Sequence, residues 1–328
     1  MKRRQFLKST SAATLALAAS APSCVRLSNP GEEDLIIDTH QHLWDLDKIR
    51  PPWLAGAPPI LRQRYANEEY GRATEGFNVR TVYMEVDVAP QDHFLEADSV
   101  VAQCRARNTP MIAATIGGRP ASDDFHAYAR RYANVEPVKG IRQVLHGEST
   151  PAGFCLEPGF VRGVRALGEN GLNFELTMRP TELQDAAKLT ERCPDTRFVL
   201  DHCGNGDPKA FRPNLAPEME RRGTADQWRR GLDACARRPN VVCKISGIVA
   251  SVPPGRWRAE DLAPVVTHCL DAFGPDRVFF GGDWPVCLLG SPLKDWITAL
   301  REIVSSRPKL DQRKLWSLNA IKFYRLKI

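Results

Sequence analysis

Eight strand-like segments recur along this chain, with helix-like segments between most of them, and no other feature constrains the fold as strongly. The strand candidates are Leu35–Thr39, Thr81–Val86, Met111–Ile116, Val138–Leu145, Leu172–Thr177, Phe198–Asp201, Val241–Ser246 and Val278–Gly281. Several are short apolar runs without alternation, as parallel strands covered on both faces should be. Helical patterns fill Ala97–Arg107, Asp123–Tyr132, Pro158–Glu169, Thr181–Arg192, Ala225–Arg237 and Leu262–Phe273. Repeated strand–helix units of roughly 25–45 residues predict an α/β chain folded as a (β/α)8 TIM barrel. A doubly wound sheet is the alternative, but it calls for a glycine-rich turn after the first strand, and Asp38–Trp44 contains no glycine. Two long segments, Asp45–Tyr70 and Gly204–Arg222, leave strand C-terminal ends and are expected as loops that can cover the barrel mouth.

In a barrel, the C-terminal strand ends ring one mouth. Strand 1 ends in His40 and His42, whose spacing puts both imidazoles on one side. The second strand ends at Glu85, the fourth carries Arg142 with His146 beyond it, and the sixth is followed by His202. Lys244 and Ser246 end the seventh strand, and Asp283 follows the eighth. Three imidazoles and a carboxylate suit Zn²⁺ or a similar ion held by His40, His42, His202 and Asp283. They equally suit a metal-free hydrolytic site, with Asp283 as general base and the imidazoles polarising a carbonyl. For Arg142 and Glu85 the competing expectation is an ion pair across the barrel; for Lys244 it is an interior salt bridge.

The formal net charge of +6 invites a nucleic-acid reading, but Lys2, Arg3, Arg4 and Lys8 lie in an acid-free N-terminal stretch. The remaining 41 basic residues face 39 acidic ones, without a basic-aromatic stripe to track phosphates. Residues 1–24 resemble a twin-arginine export signal: Arg3-Arg4-Gln5-Phe6-Leu7-Lys8, then a small-residue apolar run from Ala12 to Ala19. That run is too short to span a bilayer, so the mature chain is expected to be periplasmic or exported, with no transmembrane span. Ala21-Pro22-Ser23-Cys24 loosely resembles a lipoprotein signal, although Pro22 fits it poorly. Residues 25–34 read as a linker and residues 35–328 as one barrel domain. Nine scattered cysteines with no C-x-x-C pattern are expected to be mostly free thiols.

Taken together, several motifs resemble the amidohydrolase superfamily, in its branch of sugar-lactone and pyrone-lactone hydrolases. They are Asp38-x-His40-x-His42-x-Trp44, Gly140-Ile141-Arg142, Leu200-Asp201-His202-Cys203-Gly204, Lys244-x-Ser246-Gly247 and Gly282-Asp283-Trp284-Pro285-Val286-Cys287. The resemblance runs from about Leu35 to Tyr324 and includes a closing helix at Asn319–Tyr324. It implies a small-molecule lactone as substrate. Asp283 would activate water, and His40, His42 and His202 would stabilise charge on the carbonyl oxygen, directly or through one divalent ion. Arg142 and Lys244 would orient the substrate, while Glu85, His146 and Trp44 would hold its hydroxyls. No lysine stands at the end of strand 4, so a lysine-bridged binuclear centre is not expected; the cofactor is none, or one divalent metal, Zn²⁺ by preference. Gly281-Gly282 departs from the branch's Gly-Ser, removing a hydroxyl next to Asp283. The competing functions are a metal-dependent decarboxylase of the same superfamily and a non-catalytic sugar-binding barrel.

Overall fold

The computed structural model describes residues 34–212 and 218–328. The expected export signal, Cys24, and the linker up to residue 33 lie outside the described residues. The strands are β1 (Ile36–Gln41), β2 (Val79–Met84), β3 (Met111–Gly117), β4 (Val138–Val144), β5 (Asn173–Thr177), β6 (Arg197–Leu200), β7 (Val241–Ile245) and β8 (Val278–Phe280). They form one sheet in sequence order with every adjacent pair parallel. Between β8 and β1 the backbone of His42 donates to Trp284 O (2.8 Å) and Thr39 Oγ1 to Phe280 O (2.6 Å), bringing the sheet edges together as a nearly closed barrel.

Helices surround it: α1 (Asn67–Ala73), α2 (His93–Ala106), α3 (Phe125–Ala133), α4 (Pro158–Glu169), α5 (Leu183–Arg192), α6 (Glu218–Ala236), α7 (Ala259–Phe273), α8 (Leu293–Ile303), α9 (Lys309–Arg313) and α10 (Asn319–Tyr324). α4 shows how local sequence builds them. Pro158 opens it with a preset φ and no N–H to satisfy. Phe160, Val164 and Leu167 then recur at helical spacing and are buried. The Phe160 ring meets Phe174 of β5 edge-on at 5.6 Å, and burying such a ring contributes about 2 kcal/mol. The expected irregular segment Gly204–Arg222 proves shorter, because α6 begins at Glu218. The excursion after β1 folds into short 3₁₀ turns at Pro52–Gly56 and Pro59–Leu61, and a Trp44–Tyr65 bridge ties its ends.

The barrel interior has two layers. At the N-terminal end of the strands, Ile37, Val82, Ala113, Val199, Val242 and Phe279 pack together with Tyr324 of α10. The layer above is polar. β1 reaches it through an irregularity: its pairing with β2 slips between Asp38 and Gln41. Ile37 faces inward and Asp38 outward to the Tyr70 hydroxyl (2.8 Å), so strict alternation would turn His40 away from the interior. The slip returns it, with its ring 4.4 Å from that of His202. Eight of the nine cysteines fall among the described residues, and all eight are buried free thiols. No helix among the described residues is long and apolar enough to cross a membrane.

Candidate active site

A buried ionic layer supports the site. Lys244 of β7 is fully buried and its Nζ lies 2.6 Å from Glu175 Oε2, 3.0 Å from Asp201 Oδ1 and 3.1 Å from His40 Nδ1. Glu175 and His40 are hydrogen-bond partners of the ammonium, and Asp201 is paired with it by charge. Burial pushes the Glu175 carboxyl up to about 7, against the pull of Lys244. Burial alone would also raise Asp201, but Lys244 and His40 outweigh it and hold that carboxyl well below its ordinary range.

Each imidazole has a defined environment. His40 is fully buried, and burial followed by the Lys244 charge drives its pKa well down, so the ring is neutral. Its Nε2 lies 3.3 Å from Arg142 Nη1 and 3.7 Å from Asp283 Oδ1. His42 Nδ1 lies 3.0 Å from Met84 O. A carbonyl only accepts, so Nδ1 carries a hydrogen, and Nε2 faces Asp283 Oδ1, 3.5 Å away. His202 Nδ1 lies 3.0 Å from Ser246 Oγ, which also accepts from the His202 backbone N–H (3.3 Å). With the serine hydrogen directed to Nδ1 the ring proton lies on Nε2, which is an assignment of the tautomer, since Oγ has a second lone pair that can accept from Nδ1–H. Burial lowers the His202 pKa, keeping it neutral as well.

Asp283 follows β8 with a left-handed φ of +54° and is 4% exposed. Asp38 sets its approach. That buried carboxylate accepts from Gly282 N (2.7 Å), His40 N (3.0 Å) and the Tyr70 hydroxyl, so one side chain ties both site-bearing strand ends together. A Cβ on Gly282 would come within 2.4 Å of Asp38 Oδ2. The glycine that departs from the expected Gly-Ser is therefore required by the position of Asp38.

Above these groups opens a cavity of about 390 Å³, lined among others by His42, Arg142, His146, His202, Asp283 and Trp53. Trp53 Nε1 donates to Val86 O (2.7 Å), fixing the ring as a wall. Five of the expected site residues thus meet at one cavity, with His40 directly beneath. Three others take different places. Lys244, expected to orient substrate, lies in the ionic layer below. Glu85 is fully buried and accepts from Arg142 Nε (2.5 Å) while its own carbonyl accepts from Arg142 Nη2 (2.7 Å), leaving it no reach to a sugar hydroxyl. Trp44 donates to Gln63 O and packs edge-on to Trp53 at 5.6 Å, one ring removed from the cavity. Asp38 and Asp201 stand in the motifs quoted from the sequence but were given no role there, and Glu175 was not singled out, although a carboxylate inside an apolar run is itself a signal.

His40, His202 and Asp283 each offer an atom within 4.8 Å of the others, and Nε2 of His42 is adjacent. Imidazole nitrogens with a carboxylate oxygen fit one divalent ion such as Zn²⁺.

A carboxylate aimed at imidazoles on the mouth of a (β/α)8 barrel suits a hydrolase that activates water against a polarised carbonyl. Comparison with known proteins gives the family. Residues 37–326 match the amidohydrolase family model, and the chain belongs to that family. It is 30% identical to the L-fucono-1,5-lactonase of Burkholderia multivorans, with 89% of this chain and 96% of that protein covered. An L-rhamnono-gamma-lactonase of Scheffersomyces stipitis is 25% identical over 58% of this chain and 59% of its own length. A crystal structure of a Burkholderia multivorans amidohydrolase with bound Zn superposes with a TM-score of 0.76 at 26% identity, covering 89% of this chain and 100% of the other.

Proposed function

We propose that this amidohydrolase opens the ring ester of a neutral sugar lactone, releasing the corresponding hydroxy acid. The observation that carries the reading is Asp283 Oδ1 at 3.5 Å from His42 Nε2 and 3.7 Å from His40 Nε2, on the floor of a cavity of lactone size. Asp283 takes a proton from water as the oxygen attacks the carbonyl carbon. The Nε2–H of His202 donates to the oxygen that becomes negative, and the neutral state of the ring suits it to donate without carrying charge into the ground state. When the ring C–O bond breaks, the proton held by Asp283 passes to the leaving alkoxide. A divalent ion held by His40, His42, His202 and Asp283 would take the Nε2 lone pair of His202, and would then supply the polarisation of the carbonyl in place of that N–H, with a lowered water pKa.

Charge around the cavity supports a neutral substrate. The Arg142 guanidinium is engaged by Glu85, and the cavity-lining Asp87 is paired with Arg119 at 3.0 Å. Among the described residues, the cavity lining holds no cation without a carboxylate partner. That argues against a carboxylated aromatic and hence against the decarboxylase alternative. A pH-stat screen of aldonolactones and carboxylated aromatics, with and without chelator, tests the reading. Acid release from a neutral lactone is expected. Release of CO2 from a carboxylated ring, with no lactone turned over, would overturn it. We also propose export through the twin-arginine route, on the strength of Arg3-Arg4 and the small-residue run after it. Cell fractionation of a strain carrying Arg3→Lys/Arg4→Lys checks this, with retention in the cytoplasm as the expected result.

A further inference from the structure

His202 stands on an unusual piece of backbone. His202, Cys203, Gly204 and Asn205 have φ of 52°, 53°, 61° and 53°, so four successive residues are left-handed. L side chains avoid that region because Cβ crowds the following carbonyl, and three of these four residues carry a Cβ. Such a run persists only where its surroundings over-determine it. Within the turn, Gly204 N donates to Asp201 O (2.8 Å) and Gly206 N to Cys203 O (3.3 Å).

The remaining restraint comes from outside. Trp228 of α6 donates its indole Nε1–H to Cys203 O at 2.9 Å, and Asn205 Nδ2 donates to Met178 O at 2.7 Å. Trp228 is 2% exposed and does not line the cavity. Its ring is held by Phe211 (5.8 Å between centroids) and His268 (5.2 Å). Gly206 permits the approach, since a Cβ there would lie 2.7 Å from the indole. On the other side, a Cβ on Gly247 would lie 2.3 Å from His202 Nδ1, so the imidazole is seated against bare backbone.

We propose that Trp228 is a positioning residue for the reaction: its indole N–H, bonded to the Cys203 carbonyl, holds the left-handed turn that aims His202 Nε2 into the cavity. The inference rests on the reading that His202 stabilises charge during lactone hydrolysis. Asn205 borders the cavity and Ser246 touches the imidazole itself, so Trp228 is the restraint that can be altered without touching either substrate or His202.

The test compares Trp228→Phe, which keeps a ring and removes the N–H, with Phe160→Leu, which weakens the outer core far from the turn. For Trp228→Phe, kcat on the best neutral lactone should fall about tenfold, the loss of one buried hydrogen bond expressed as a rate. KM should stay within twofold, and the His202 ring signals in histidine-¹⁵N spectra should shift. Phe160→Leu should lower the thermal midpoint and leave kcat and those signals unchanged. Gly206→Ala, which pushes the indole away while keeping the tryptophan, should reproduce the Trp228→Phe result and serves if that variant does not fold. Wild-type kcat in Trp228→Phe, or a loss no larger than that in Phe160→Leu, would overturn the proposal. If the wild-type enzyme turns over no lactone, the functional reading fails separately. Unchanged His202 signals in both turn variants would then overturn the clamp.

Discussion

The two ends of the barrel interior are built from the same strands with opposite chemistry. Val199, Val242 and Phe279 belong to the apolar layer near the strand N-terminal ends. Two residues further along β6 and β7 stand Asp201 and Lys244, and beyond β8 stands Asp283. One inward step of the pleat exchanges a layer that stabilises by leaving water for one that requires every charge to have a partner. The apolar layer tolerates approximate shape, whereas the ionic layer depends on the identity of each neighbour. The difference teaches that stability and chemistry are separable here along a single strand, and substitutions in the two layers should fail in different ways.

The largest expected effect is Asp283→Asn, which removes the base and leaves the barrel intact. Turnover should fall about 10³-fold, within the range seen for general bases, while the thermal midpoint stays close to wild type. Steady-state assays with a parallel thermal melt check this; near-wild-type turnover would remove Asp283 from the role. Next comes Lys244→Met, which leaves Glu175 and Asp201 buried without their cation. A loss of about 3–5 kcal/mol is expected in urea unfolding, with part of it restored by adding Glu175→Gln. In the apolar layer, Phe279→Leu should cost about 1 kcal/mol and leave kcat within twofold. A kcat loss there as large as that in the ionic layer would break the separation between the layers.

The smallest effect is a change of pH dependence. Burial, aided by the nearby Glu85 charge, pushes the Glu96 carboxyl up to about 8, while the Tyr83 hydroxyl (2.9 Å) and Val86 N–H (2.8 Å) donate to it. An acid raised in the folded state binds a proton more tightly there than when unfolded. Its stabilisation is fully present below the unfolded value and is lost as pH rises through about 8. Glu96→Gln should therefore flatten the decline in stability between about pH 4.5 and 8. The buried imidazoles act with the opposite sign. His40 and His202 have lowered values, so their contribution is present above the ordinary histidine pKa and is lost as pH falls. Thermal melts across pH separate the two contributions, and an unchanged slope between about pH 6.5 and 8 in Glu96→Gln would exclude Glu96 as its source.

Much of this was legible in the linear chain. All eight strands appear where apolar runs predict them, because a strand buried on both faces must be apolar over its own length. The closing helix Asn319–Tyr324 also falls where expected, and α4 has the same bounds, since proline entry and helical spacing are local signals. His42, His202 and Asp283 were marked by their places at strand ends. The destinations of Lys244, Glu85 and Trp44 were not legible. A charged residue on a strand reads the same whether it meets a ligand or another residue of the barrel.

By itself, the sequence determined the order of the eight strands and the strand ends where ionisable groups gather. Those depend on interactions within a few residues and on the alternation of the pleat. Only the tertiary structure decided that His40 turns inward after a slip in β1, that Asp38 occupies the space above Gly282, and that four left-handed residues carry His202. Each of these is set by groups distant in sequence: Asp38 bonds the backbone of Gly282, Lys244 the ring of His40, and Trp228 the carbonyl of Cys203. Burial and pairing across a closed barrel are properties of the whole ring of strands, and no local pattern encodes them.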